Sequence, residues 1–237
     1  MCASSMNSRL LTDFCHKMTI DRRYEGVLDY FQRTQPNPTT ELTYHNAFEI
    51  LVAVILSAQC TDKRVNMVTP ALFAAYPTPQ AMAAATVDDI LQFVKSVSYP
   101  NSKAQHLHDM AAMLVDEFHG VVPDTMEQLT RLPGVGRKTA NVMLGLVFGK
   151  AAIAVDTHVF RVSNRIGLAQ GKTPLEVEKA LTRHIPPELR FKAHHWLLLH
   201  GRYVCRAQRP LCLECALTPW CRHYAKQRRP LTQDGAQ

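Results

Sequence analysis

The run NAFEILVAVILSAQ, residues 46–59, is apolar on nearly every side, so whatever element it forms must be wrapped by the rest of the chain. Its length favours a buried helix, although its β-branched residues leave a strand open. Elsewhere alternating strand patterns are scarce and helix starts recur. TPQAM offers Thr78 as an N-cap with Pro79 at the first helical position, and TPLE offers Thr173, Pro174 and Glu176 as a capping box. Loops such as PNPTT and IPPEL are short, and neither internal repeats nor low-complexity segments stand out. With 237 residues, 46% of them hydrophobic, the chain can bury one large core or two modest ones. An all-α architecture is the expectation.

One stretch carries a helix, a turn and a helix in succession. PDTMEQLTRL predicts a short helix, PGVG breaks it, and RKTANVMLGLVFG predicts a second helix ending at Gly149. Two glycines in a tight turn let backbone amides of the turn and of the helix start converge on one phosphate oxygen. The candidate contacts are Leu132, Gly134, Val135, Gly136, Arg137 and Thr139. Contacts of this kind ignore base sequence. The plainer alternative is an ordinary glycine turn between packed helices. A P-loop is excluded, because Arg137 separates Gly136 from Lys138 and no strand precedes the turn.

Lys138 falls in the first turn of that second helix, where the backbone field opposes a cation. An unfavourable place for an ammonium ion, once partly desolvated, favours a neutral amine able to form a Schiff base. The competing reading is that Lys138 simply pairs with phosphate beside Arg137. Downstream, AVDTHVFRV places Asp156 as the N-cap of another helix, with Val155 and Phe160 spaced as a hydrophobic staple. Capping explains Asp156 by itself. The same carboxylate also suits the stabilisation of a cation forming opposite it, an oxocarbenium ion or a protonated lysine.

Seven cysteines are present, and four of them, Cys205, Cys212, Cys215 and Cys221, follow C-x6-C-x2-C-x5-C. An odd, lopsided count suits a metal site in a reducing compartment better than a disulfide framework. A zinc ribbon usually shows two C-x2-C knuckles, whereas this run has one, so a four-iron cluster is the better match. His194, His195 and His200 lack an H-E-x-x-H pattern and read as packing or hydrogen-bonding residues. The charge excess, 27 Lys and Arg against 20 Asp and Glu, concentrates at this end, where Arg202 to Arg229 carries a net +6. Arg202, Arg206, Arg209 and Arg222 make the cysteine loop a candidate phosphate-facing surface, with a solvated charged face as the plain alternative.

Taken together, LSAQCTDKRVN, NSKA, LPGVGRKTANV, AVDTHVFRV, HHWLLLHGRYVC and the cysteine loop resemble the endonuclease III family of bifunctional DNA glycosylases, over about residues 20 to 224. The resemblance implies two α-helical domains with DNA between them. Residues 39–151 would form a six-helix domain carrying the helix–hairpin–helix; residues 19–38 plus 152–228 would form a discontinuous iron–sulfur domain with one [4Fe-4S] cluster on the four cysteines. Residues 1–18 would be an extension and 229–237 a tail. Lys138 would be the nucleophile, Asp156 its catalytic partner, and Gln59 a residue inserted into the duplex. The loop VSYPNSKA departs from the Gly-Leu-aromatic pattern of many relatives, which makes Tyr99 the duplex wedge or a residue packed within its own loop.

The implied activity is removal of oxidised or ring-saturated pyrimidines from double-stranded DNA, followed by nicking at the abasic site, by a monomer. An adenine mismatch glycosylase is disfavoured, because Lys138 is present and only 16 residues follow Cys221. The rival from another class is a catalytically silent DNA-binding or redox-sensing protein. No apolar run reaches the roughly 18 residues of a membrane span, so a cytoplasmic, nucleoid-associated protein of bacterial type is expected. The acid-poor first 17 residues keep an organellar transit peptide open.

Overall fold

The computed structural model describes residues 18–227. The N-terminal extension, apart from Met18, and the C-terminal tail lie outside the described residues, and so does the transit-peptide reading. Every regular element among the described residues is helical: α1 (Ile20–Thr34), α2 (Ala47–Leu56), α3 (Asp62–Ala75), α4 (Pro79–Ala83), α5 (Val87–Val94), α6 (Pro100–Phe118), α7 (Met126–Leu129), α8 (Arg137–Leu146), α9 (Thr157–Ile166), α10 (Pro174–His184), α11 (Arg190–Tyr203) and α12 (Arg222–Gln227), with 3-10 turns at Pro187–Leu189 and Thr218–Trp220. They divide into two compact units. One spans Thr39–Ala154, and the other joins the described residues before Thr39 to those from Val155 onward.

The first unit is built around α2. Asn46 caps it by accepting the Glu49 amide at 2.9 Å, which resolves the helix-or-strand ambiguity of this run in favour of the helix. Ile50, Leu51, Val52, Ala53 and Leu56 are fully buried, so the helix is sequestered on all sides. Truncating such a residue, Leu51 to Ala for example, costs about 2–5 kcal/mol through lost burial and a cavity. The core continues through Ile90 of α5, Leu107 and Met110 of α6, and Met143 of α8. Thr78 caps α4 ahead of Pro79, as the sequence suggests.

In the second unit, α1 docks on elements far along the chain. Tyr24 donates its hydroxyl to Leu168 O at 2.7 Å, Phe31 stacks on Trp196, and the Trp196 indole donates to Gln35 O at 2.7 Å. The buried Arg23 guanidinium donates to the carbonyls of Ile166 and Trp220. These long-range bonds make the unit discontinuous in sequence. Thr173 caps α10 by accepting the Glu176 amide, but the Glu176 carboxylate accepts from Lys172 N at 2.7 Å, so the reciprocal half of the expected box reaches one residue further back. The reciprocal box with both bonds belongs to Thr86 and Asp89 on α5.

Candidate active site

The helix–hairpin–helix forms in the Thr39–Ala154 unit as expected. Thr125 caps the short α7, and the turn from Leu132 to Gly136 leads into α8. Leu132 and Val135 are buried, and Val135 N donates to Leu132 O at 3.0 Å. Their side chains therefore anchor the hairpin, and their amides are spent within it, since Leu132 N also donates to Leu129 O at 3.2 Å, so neither is set up as the amide contact the sequence suggested. Gly134 adopts a left-handed φ of 77°, which a residue with a Cβ rarely tolerates, and a Cβ there would meet His106 of α6 at 3.0 Å. Gly136 differs: its φ is −91°, and a built Cβ meets nothing within 4 Å.

That open space lies at the start of α8. Gly136 is the N-cap and gives no side-chain cap, and no acidic residue occupies the first turn. First-turn amides without a side-chain cap carry partial positive charge, which suits an anion. Arg137 and Lys138 are exposed and Thr139 is half-buried there. The partial desolvation expected of Lys138 is thus not supplied by burial in this unit. The helix field remains. At the far end α8 closes before Gly149, which has φ 61°, with Lys150 N donating to Leu144 O at 2.8 Å.

Gln59 and Tyr99, separated by 40 positions in sequence, are brought together in the same unit. Ser98 donates its hydroxyl to Gln59 O at 2.7 Å, and both residues take left-handed backbones, φ 53° for Gln59 and 54° for Tyr99. Both side chains are exposed, Tyr99 to 64%. Beneath them lies Lys103, whose buried ammonium donates to Leu56 O and Ala58 O at 2.7 Å each. Burial lowers the proton affinity of this amine, and the nearby Cys60 opposes the shift. NSKA contains Lys103, but nothing in the sequence distinguished it from a surface lysine.

In the other unit, Asp156 is the N-cap of α9, with its carboxylate accepting the Val159 amide at 2.8 Å. Lys138 and Asp156 thus belong to different units. Two arginines of α9 hold carbonyls at the end of α11 and in the cysteine loop. Arg161 donates to Gly201 O and Cys205 O, and Arg165 to Arg206 O and Ala207 O, at 2.6–3.2 Å. Arg209, exposed in that loop, has a left-handed φ of 49°.

All four cysteines line one cavity, together with Ile166, Val204, Leu211, Leu217 and His200. Burial pushes the Cys221 thiol up to about 11 and raises Cys215 and Cys212 as well, with Cys205 adding to the rise in each. A metal that binds such thiols displaces their protons. Burial also pushes His200 down to about 4, and its Nε2 lies 3.5 Å from Cys215 Sγ. His200 was expected to be a packing or hydrogen-bonding residue, and its partner is this sulfur. His195 bonds Phe191 O, and His194 is buried against it. Among the described residues, no group of three or more His, Cys, Asp or Glu side chains is set to hold a single metal ion. No described helix is long and apolar enough to cross a membrane.

Residues 52–187 match the profile of the HhH-GPD superfamily of base excision DNA repair proteins. Endonuclease III of Rickettsia conorii is 47% identical over 198 residues, covering 84% of this chain and 94% of that protein. Endonuclease III of Escherichia coli K12 is 43% identical over 200 residues, covering 84% and 95%. A trapped endonuclease III–DNA covalent intermediate superposes with a TM-score of 0.85 at 43% identity, over 90% of this chain and all of that one. A non-covalent endonuclease III–DNA complex gives 0.84 at 43% identity, over 89% and 99%. The chain therefore belongs to the endonuclease III family within the HhH-GPD base excision repair superfamily.

Proposed function

We propose that this protein excises oxidised or ring-saturated pyrimidines from double-stranded DNA through a Schiff base on Lys138 and then nicks the abasic strand. It is a DNA glycosylase with abasic-site lyase activity. The observation that carries the reading is the lysine on the first turn of α8, beside an uncapped helix start with room for a phosphate. The phosphate contact there fixes the strand without reading its bases.

Chemistry at a sugar carbon cannot occur inside an intact stack, so the damaged nucleotide is extruded. Gln59 and Tyr99 are the side chains that enter the duplex as it leaves. The neutral Lys138 Nζ then attacks C1′, forming the N–C bond as the bond to the base breaks and the departing base takes a proton. Asp156 stabilises the positive charge that develops on the sugar. Ring opening gives an iminium ion between Lys138 and C1′. That ion acidifies C2′; loss of the C2′ proton expels the 3′ phosphate, and water later releases Lys138.

Cys205, Cys212, Cys215 and Cys221 would hold a [4Fe-4S] cluster, and the donor set fits it: four thiols on one cavity walled by Ile166, Val204, Leu211 and Leu217. The cluster would supply structure to the loop that carries Arg209, where it presents that guanidinium to phosphate. The protein acts as a monomer on chromosomal DNA in a bacterial-type cytoplasm. Cleavage of duplexes that each carry one defined lesion tests the substrate assignment. Nicking at thymine glycol, but not at undamaged thymine or at adenine opposite guanine, is expected. Adenine release without nicking would contradict it.

A further inference from the structure

We propose that Lys103, with Ser98, is a positioning residue that holds the Gln59 and Tyr99 loops in the conformation that enters the duplex. This rests on the reading of those two side chains as inserting groups. Leu56 is the last residue of α2, and carbonyls at a helix C-terminus have no intrahelical partner and carry partial negative charge. Lys103, only 5% exposed, meets two of the carbonyls there, Leu56 O and Ala58 O. Directly after them the chain turns through Gln59 at φ 53°.

A non-glycine residue in the left-handed region persists only where its surroundings fix it. For Gln59 that fixing comes from both sides: the ammonium holds the carbonyl before it, and Ser98 holds its own carbonyl. Since Ser98 immediately precedes Tyr99, the same bond ties the second left-handed residue to the first. His119, the other left-handed non-glycine residue of this unit, simply ends α6, where such a backbone is usual. A buried lysine is otherwise a poor choice for a core, where an apolar side chain would pack without the desolvation of a charge. Its use here is geometric. Loops already fixed in the entering conformation need not be ordered during extrusion, and so the cost of binding falls.

The test compares one lesion, thymine glycol, in an intact duplex and inside a short unpaired bubble, where extrusion is already done. For Lys103→Met the ratio of intact-duplex to bubble cleavage should fall about tenfold relative to wild type, because only the extrusion step uses the clamp. Ser98→Ala removes one hydrogen bond and no core volume; it should move the ratio the same way, about threefold. Fluorescence of 2-aminopurine opposite the lesion should rise on binding wild type and rise less with either variant. A general loss of stability would lower both activities together and leave the ratio alone. If Lys103→Met fails to fold, Ser98→Ala decides. Unchanged ratios in every variant that folds, with wild type active, overturn the clamp. A wild type that cleaves neither substrate instead overturns the glycosylase reading, and the clamp falls with it.

Discussion

The carboxylate of Asp156 accepts the amide of Val159 at 2.8 Å, closing the N-terminus of α9. Capping and charge stabilisation can be separated by substitution. Asn is as good an N-cap as Asp, so Asp156→Asn should leave the melting temperature nearly unchanged while slowing excision about a hundredfold. Asp156→Ala loses both roles, with about 1 kcal/mol of stability gone, read as a fall of about 2–4 °C. Calorimetry beside single-turnover kinetics checks this. Equal activity of wild type and Asp156→Asn would leave Asp156 as a cap alone.

The two hairpin glycines should respond differently to alanine. Gly134 has the left-handed backbone and sits against His106, so Gly134→Ala should destabilise the fold. Gly136 has an ordinary φ and open space, so Gly136→Ala should fold normally and still lose about tenfold in DNA affinity, because its methyl group occupies the phosphate's approach. Melting curves and fluorescence anisotropy on a short duplex separate the two. Full affinity in Gly136→Ala would move the phosphate elsewhere.

The sequence displayed what local rules encode: the buried run of α2, the Thr78 and Asp156 caps, the glycine hairpin and the four-cysteine spacing. It did not display what depends on residues distant in the chain. Lys103 looks like any polar helix residue until α6 packs beneath the end of α2, and His200 acquires its meaning only when Cys215 folds back to within 3.5 Å. The left-handed backbones of Gln59, Tyr99 and Arg209 had no local signal either, since none is glycine or asparagine. For Gln59 and Tyr99 the proposed roles rest on the motifs in family order alone, whereas Lys138 and Asp156 also carry a local signal, the first turn of one helix and the N-cap of another.

His195 should make the protein acid-sensitive. Burial holds its imidazole below the ordinary 6.5, only partly offset by the bond to Phe191 O. As pH falls through 6.5, the unfolded chain takes up a proton that the folded protein refuses, so stability declines below that pH. His195→Gln keeps a polar side chain without the titration. The urea midpoint of the variant should therefore drop less than that of wild type between about pH 7.5 and about pH 5.5. Parallel curves would place the acid sensitivity in other groups.

Replacing Cys212 or Cys221 with Ser should remove the broad visible absorption of an iron–sulfur centre and loosen the loop that carries Arg209. Because raised thiols must ionise to bind metal, reconstitution with ferrous iron and sulfide should release protons, which a weakly buffered pH indicator detects. A colourless wild type with one zinc per chain would contradict the cluster.

The central claim is that the Lys138 nitrogen becomes covalently joined to the sugar. Borohydride reduction during turnover of a lesion-bearing duplex, followed by proteolysis and mass spectrometry, tests it most directly. The expected result is a single deoxyribose-derived adduct on the peptide containing Lys138, absent from Lys138→Gln, which also no longer nicks the strand. An adduct on another residue, or undiminished trapping by Lys138→Gln, would contradict the account.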